Sequence, residues 1–142
     1  MASLIVDGIH LPPDTVNDFV RAKGVDRIVL TTDSTAGAGA YPGRYTLGDL
    51  EVEVSSDGAA RLAGSSRLAG STLTMDQAIT NVIRFAEIDL PSAIRMAARN
   101  AQELFPEVGG EIVSGHSADL VLFEYQNELV IRSTWIEGEK IF

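Results

Sequence analysis

The chain contains no cysteine. That single absence removes disulfides, thiolate metal sites and thiol nucleophiles together, while saying little about compartment. Histidine is scarce as well. His10 and His116 lie far apart, with no local metal-ligand spacing. A catalytic zinc site takes about three protein ligands and keeps one position open, so the sequence offers no complete metal site. Basic residues are few: 11 Lys and Arg stand against 20 Asp and Glu, giving a net charge of −9, and no two basic residues are adjacent. A phosphate-backbone partner needs clustered Lys and Arg, so no nucleic acid is expected, although a few local donors can still hold a small phosphorylated ligand. No apolar run approaches the ~20 residues that span a bilayer. The N-terminus also lacks the basic region and apolar stretch of a secretory signal. No membrane partner is expected, and the expected location is cytoplasmic. There is no Gly-x-Ser-x-Gly elbow and no phosphate-binding Gly-Lys-Ser/Thr loop. Gly37-Ala38-Gly39 lacks the third glycine of a dinucleotide fingerprint.

What is present is a set of α/β signals in a chain of 142 residues, a length that suits one domain burying roughly 70% of its unfolded surface. The densest signal is Ile28-Val29-Leu30-Thr31-Thr32-Asp33-Ser34-Thr35-Ala36-Gly37-Ala38-Gly39. Residues 28–30 have the β-branched and aliphatic character of a strand buried on both faces. Asp33 interrupts that run where a glycine-rich loop begins. A carboxylate at the C-terminal end of a barrel-type strand is where catalytic groups collect. On local residues alone, Asp33 serves equally well as a cap for the following turn.

The first forty residues spell strand, helix, strand. After an apolar run at 4–6, Pro12-Pro13 opens a helix with Val16, Phe19 and Val20 on one face and Gly24 at its end. Residues 28–32 return as a second strand, a βαβ pattern that fits a barrel segment. Residues 45–47, 50–54 and 59–62 are short β-prone pieces separated by Gly48-Asp49 and Asp57-Gly58, both hairpin signals. Within the last piece and beyond it, Arg61-Leu62-Ala63-Gly64-Ser65-Ser66 is echoed by Arg67-Leu68-Ala69-Gly70-Ser71-Thr72, too briefly for a repeat architecture. Glu51 and Glu53 alternate along a strand, as on a solvated face. Thr74-Met75-Asp76-Gln77 forms a capping-box pattern ahead of Ala78, Ile79, Val82, Ile83 and Ala86 on one face. Asp89-Leu90-Pro91 starts another helix, with Ile94, Ala97, Ala98, Ala101 and Leu104 at helical spacing; Pro106 and Gly109-Gly110 end it. From 112 onward the chain is β-prone again, with a hairpin centred on residues 125–128.

Four segments in order carry a resemblance: Leu4-Ile5-Val6-Asp7-Gly8-Ile9-His10; Leu30-Thr31-Thr32-Asp33-Ser34-Thr35-Ala36-Gly37-Ala38-Gly39; Leu68-Ala69-Gly70-Ser71-Thr72-Leu73-Thr74-Met75; and Gly115-His116-Ser117-Ala118-Asp119-Leu120-Val121. Together they resemble the C-terminal part of N-acetylglucosamine-6-phosphate deacetylases, in the metal-dependent amidohydrolase superfamily. The resemblance runs nearly end to end, yet covers less than half of such an enzyme. It implies an α/β fold made of the last strand–helix units of a (β/α)8-barrel plus part of a small β-sandwich. Residues 1–110 are then the barrel segment, with a β-hairpin insert near 44–63, and residues 111–142 are sandwich strands.

The resemblance also implies roles. Asp33 becomes the catalytic acid/base, which takes a proton from the attacking water and gives it to the departing sugar amine; it is also the one residue here able to touch the metal. Asp7, Gly8, Ile9 and His10 frame the sugar, and Leu68, Ala69 and Gly70 pack on it. Taken alone, His10 is a helix-entry or packing histidine. Family members commonly carry Lys where His116 stands, which makes His116 a surface turn residue. The family's divalent metal, zinc or iron, is held by a Glu and His residues on earlier strands that this chain does not contain. The expected partners are therefore an amino-sugar phosphate, a complementing N-terminal chain and further copies of the chain itself, and the isolated chain is expected to be inactive. A non-catalytic self-associating remnant and a sugar-phosphate-binding module are the alternatives.

Overall fold

The computed structural model describes residues 1–105 and 112–142. Strand β1 (Ala2–Ile5) and strand β2 (Ile28–Thr31) pair in parallel, with Ala2 opposite Ile28 and Ile5 opposite Thr31. Helix α1 (Pro13–Lys23) connects them. A proline fits its first turn, where the lost N–H has no helical partner, and Gly24 ends it at φ +77° with its N–H on the Val20 carbonyl, 2.9 Å away. Val16 and Val20 are buried as expected, but Phe19 is 38% exposed. The apolar stripe is narrower than the i, i+3, i+4 pattern implied. Positions four apart share one line down a helix, whereas position 19 falls on its flank.

Three antiparallel strands follow: β3 (Gly43–Leu47), β4 (Leu50–Val54) and β5 (Ala60–Leu62). The two hairpin signals lie at the turns between them, and Leu47 pairs with Leu50 across Gly48-Asp49. This meander has its own small core of Val52, Val54 and Ala60, with Tyr45 and Ala69 against it. Glu51 and Glu53 point to solvent, as their alternation suggests.

Helix α2 (Met75–Ala86) buries Ala78, Ile79 and Val82. The capping box does not form. Thr74 takes the N-cap position and its carbonyl receives the Ala78 N–H at 2.9 Å, but its hydroxyl is buried with no partner. Helix α3 (Leu90–Ala97) is capped by Asp89, whose side chain accepts the Ser92 N–H at 3.0 Å. The single long helix expected from 89 onward instead breaks at Ala98 (φ −124°, ψ −71°), and α4 (Arg99–Gln102) is a separate turn. The cause is Asn100, 1% exposed, which gives its side-chain amide to the Val25 and Ile28 carbonyls at 2.7 and 2.6 Å. Leu104, expected on the helix's core face, is half-exposed. The Pro106 and Gly109-Gly110 stop and the division at residue 110 lie outside the described residues.

The C-terminal sheet runs in order β6 (Leu120–Tyr125), β7 (Leu129–Ile136) and β8 (Glu139–Lys140), all antiparallel. A bulge interrupts the β6–β7 ladder between Leu122 and Phe123. This sheet is not isolated from the rest. Leu129 belongs to the same buried cluster as Val6, Val16, Ile28, Ala78 and Met96, and its N–H donates to Thr80 Oγ1 on α2 at 3.1 Å. The described residues thus form an α/β fold with three small sheets, one of them parallel.

Candidate functional site

The two parallel strands end side by side, and both continuations carry an aspartate. Beyond β1, Asp7 folds back on its own backbone. Its Oδ1 accepts the N–H groups of Ile9 and His10 at 2.9 and 2.8 Å, and its Oδ2 lies 2.6 Å from His10 Nδ1. The Asp7 and His10 side chains are 8% and 21% exposed. Burial alone would push the Asp7 carboxyl up, but the His10 N–H, the His10 ring and the Ile9 N–H outweigh it and hold the group below its ordinary value. Gly8 makes this turn with φ +76°, and its face is closed by the Phe85 ring. From α2, the Asn81 amide donates to the Val6 carbonyl at 2.8 Å and fixes the end of the strand.

Beyond β2, Asp33 sits at φ +49°, left-handed territory that aspartate tolerates better than most residues. Non-glycine residues held in this way cluster at functional sites. A second segment clasps it. Ser71 N–H donates to the Asp33 carbonyl at 2.8 Å, and Thr35 N–H returns to the Ser71 carbonyl at 2.9 Å. Ser71 Oγ donates to the Thr32 carbonyl and Ser34 Oγ to the Leu73 carbonyl. The Asp33 side chain stays exposed.

Gly70 explains why the two segments can approach. A Cβ there would stand 2.6 Å from Thr35 Cγ2 and 2.9 Å from the Asp33 carbonyl oxygen, and φ is +72°. Just before it, Leu68 bridges to Arg61 and Ala69 donates to the Ala60 carbonyl at 2.9 Å. Residues 68–70 therefore lie between β5 and the Asp33 turn, with Leu68 38% exposed and Ala69 packed on the meander core. A further bond, from Thr72 Oγ1 to the Gly58 carbonyl at 2.6 Å, ties the meander's second turn to the same segment.

The structure thus joins Asp33 to Gly70 directly, and sets Asp7, Gly8, Ile9 and His10 at the end of the neighbouring strand. His116 lies apart in an exposed turn. Glu51 stands 3.9 Å from Arg44. Among the described residues no three His, Cys, Asp or Glu side chains converge as metal ligands, and no helix is long and apolar enough to cross a membrane. Sequence reasoning missed Ser71, Ser34, Thr35 and Asn81, which hold the site rather than line it. Hydroxyls and amides that serve a distant backbone leave no local pattern.

No family model matches the chain. Among curated proteins it is 40% identical over 124 residues to an N-acetylglucosamine-6-phosphate deacetylase of Lysinibacillus sphaericus, covering 87% of this chain and 32% of that protein. It is 34% identical over 138 residues to a protein of Escherichia coli K12 provisionally named an N-acetylgalactosamine-6-phosphate deacetylase, covering 96% of this chain and 80% of that one. In solved structures, the N-acetylglucosamine-6-phosphate deacetylase of Thermotoga maritima superposes with a TM-score of 0.83 at 36% identity, over 99% of this chain and 38% of that one. An aspartate-to-alanine variant of the Mycobacterium smegmatis enzyme, in complex with N-acetyl-D-glucosamine 6-phosphate, gives 0.88 at 30% identity, over 97% and 36%. The chain spans about a third of the length of most of these relatives. By these matches, the chain belongs to the N-acetylglucosamine-6-phosphate deacetylase family and corresponds to a C-terminal portion of it.

Proposed function

We propose that this chain supplies the proton-transferring carboxylate and part of the sugar pocket of an amidohydrolase that splits N-acetylglucosamine 6-phosphate into glucosamine 6-phosphate and acetate. The observation that carries the proposal is Asp33, held left-handed at the end of β2 by Ser71 and by the close approach of Gly70. In this role Asp33 removes a proton from the water that attacks the acetyl carbon, then returns it to the amine nitrogen as the C–N bond breaks. His10 and the backbone of residues 7–9 hold the sugar from the neighbouring strand, and residues 68–70 cover it from the other side. The complex of the Mycobacterium smegmatis relative with the sugar phosphate supports this assignment of ligand class.

Within this reading β1 and β2 are adjacent strands of a (β/α)8-barrel, residues 1–110 its last part with the insert near 44–63, and 111–142 strands of a small β-sandwich. The parallel pair and its α1 crossover support the barrel assignment. A divalent metal, zinc or iron, would polarise the acetyl carbonyl and activate water in such an enzyme. The described residues do not fit one, because no cluster of three ligands forms. In this reading the ligands come from the N-terminal portion of such an enzyme, and we place the assembled protein in the cytoplasm as a homo-oligomer. The same lack of a cluster also favours a second reading, a sugar-phosphate-binding module without catalysis.

Acetate release from N-acetylglucosamine 6-phosphate separates the two readings. The chain alone, given zinc or ferrous iron, is expected to release none. Mixed with the remaining N-terminal part of the Lysinibacillus sphaericus relative, it is expected to turn over, and Asp33→Asn is expected to lower the rate by about 10²–10⁴-fold. Unchanged turnover in the Asp33→Asn mixture would refute the role of Asp33. Ligand binding with no turnover in any mixture would leave the binding module.

A further inference from the structure

We infer that Asp7 is a positioning residue that fixes the tautomer and ring plane of His10, so that Nε2 is left with a lone pair free to accept a hydrogen bond. This rests on the reading of residues 7–10 as a sugar contact. An ionised carboxylate can only accept hydrogen bonds. Both Asp7 oxygens are engaged: Oδ1 takes two backbone N–H groups of its own turn, and Oδ2 stands 2.6 Å from His10 Nδ1. Two backbone donors on the carboxylate favour its charged form, as does the ring beside it. Nδ1 must therefore carry the proton, and neutral His10 is the Nδ1–H form.

The consequence for recognition is specific. A histidine donating Nδ1–H to a carboxylate is oriented as well as assigned. The remaining nitrogen of neutral His10 is an acceptor, and it matches a hydroxyl or amide N–H of a sugar rather than a carbonyl or a phosphate oxygen. Asp7 itself, 8% exposed with both oxygens occupied, acts through His10 and does not face the ligand. The turn that makes this possible depends on Gly8 at φ +76°, which reverses the chain between the carboxylate and the imidazole.

Long-range ¹H–¹⁵N correlation of the imidazole rings tests this in the intact chain. There are two histidines, and His116 in its exposed turn is an internal reference. Above the range in which imidazole is charged, His10 is expected to show a protonated-type Nδ1 and an unprotonated-type Nε2. His116 is expected to favour the opposite form, as free histidine does. Asp7→Asn keeps an oxygen for the two backbone N–H groups but puts an amide donor opposite Nδ1, so His10 is expected to switch to the Nε2–H form. A wild-type His10 already in the Nε2–H form overturns the inference, whatever the variant does. Addition of N-acetylglucosamine 6-phosphate then addresses the underlying reading separately. Movement of the His10 Nε2 signal and not of His116 supports the sugar contact; an Nδ1–H tautomer with no response to the sugar leaves the positioning role intact and sinks the contact.

Discussion

A methyl group at position 70 has nowhere to go. It would press on Thr35 Cγ2 at 2.6 Å and on the Asp33 carbonyl at 2.9 Å, whereas at Gly48, also at positive φ, nothing lies within 4 Å. Both alanine substitutions carry backbone strain, but only one carries the clash. Gly48→Ala is expected to cost about 1 kcal/mol and Gly70→Ala about 2–4 kcal/mol, measured by urea unfolding; equal costs would refute the close approach. Asp7 adds a pH dependence. Its folded-state carboxyl lies below the ordinary 3.8, so the stability it contributes is present above that value and is lost as pH falls through the lower, folded one. The stability gap between wild type and Asp7→Asn is therefore expected to shrink on acidification below about pH 4; a gap that widens in that acid range would be contrary. Asp33, His10 and Gly70 were legible in the sequence because they sit in recognisable strings. Ser71 was not, since its hydroxyl acts on backbone groups, donating to the Thr32 carbonyl across the fold and accepting the Leu73 N–H at 3.0 Å.

The strands β3, β4 and β5 announced themselves through their turns, and Asp89 through its place before Leu90-Pro91. Helix starts were less transparent. Thr74 has the sequence of a capping box, yet its hydroxyl is buried without a partner. Thr74→Val is accordingly expected to leave thermal stability unchanged or raise it by up to about 1 kcal/mol. A working cap would make the same change cost about 1 kcal/mol, so the sign of the change in Tm decides between them. The break at Ala98 was hidden for a related reason. In a helical pattern Asn100 belongs to the solvent face, and only the Val25 and Ile28 carbonyls, supplied by a segment far away in sequence, draw it inward.

At the scale of the molecule, paired strands leave open margins. Among the described residues β1 and β2 pair only with each other, and Val121, Leu122, Ile136, Ile141 and Phe142 are each at least half exposed. Unpaired edges and apolar surface favour pairing with another chain. A charge of −9 opposes self-association through repulsion that salt screens. Sedimentation is expected to show concentration-dependent association that strengthens from 50 to 500 mM salt; a monomer throughout would count against it. The βαβ unit was legible because its signals are local. The clasp between the Asp33 turn and residues 70–73 was not, because nothing in either segment names the other.

That clasp has a kinetic meaning. Ser34 and Leu73, like Thr32 and Ser71, are 39 residues apart, a loop whose closure costs more entropy than any hairpin within it. The meander forms from neighbours and shortens that loop before the ends meet, as local contacts generally precede distant ones. Asp33 is thus expected to reach its left-handed seat late in folding, and slowing the meander is expected to delay its arrival without touching it.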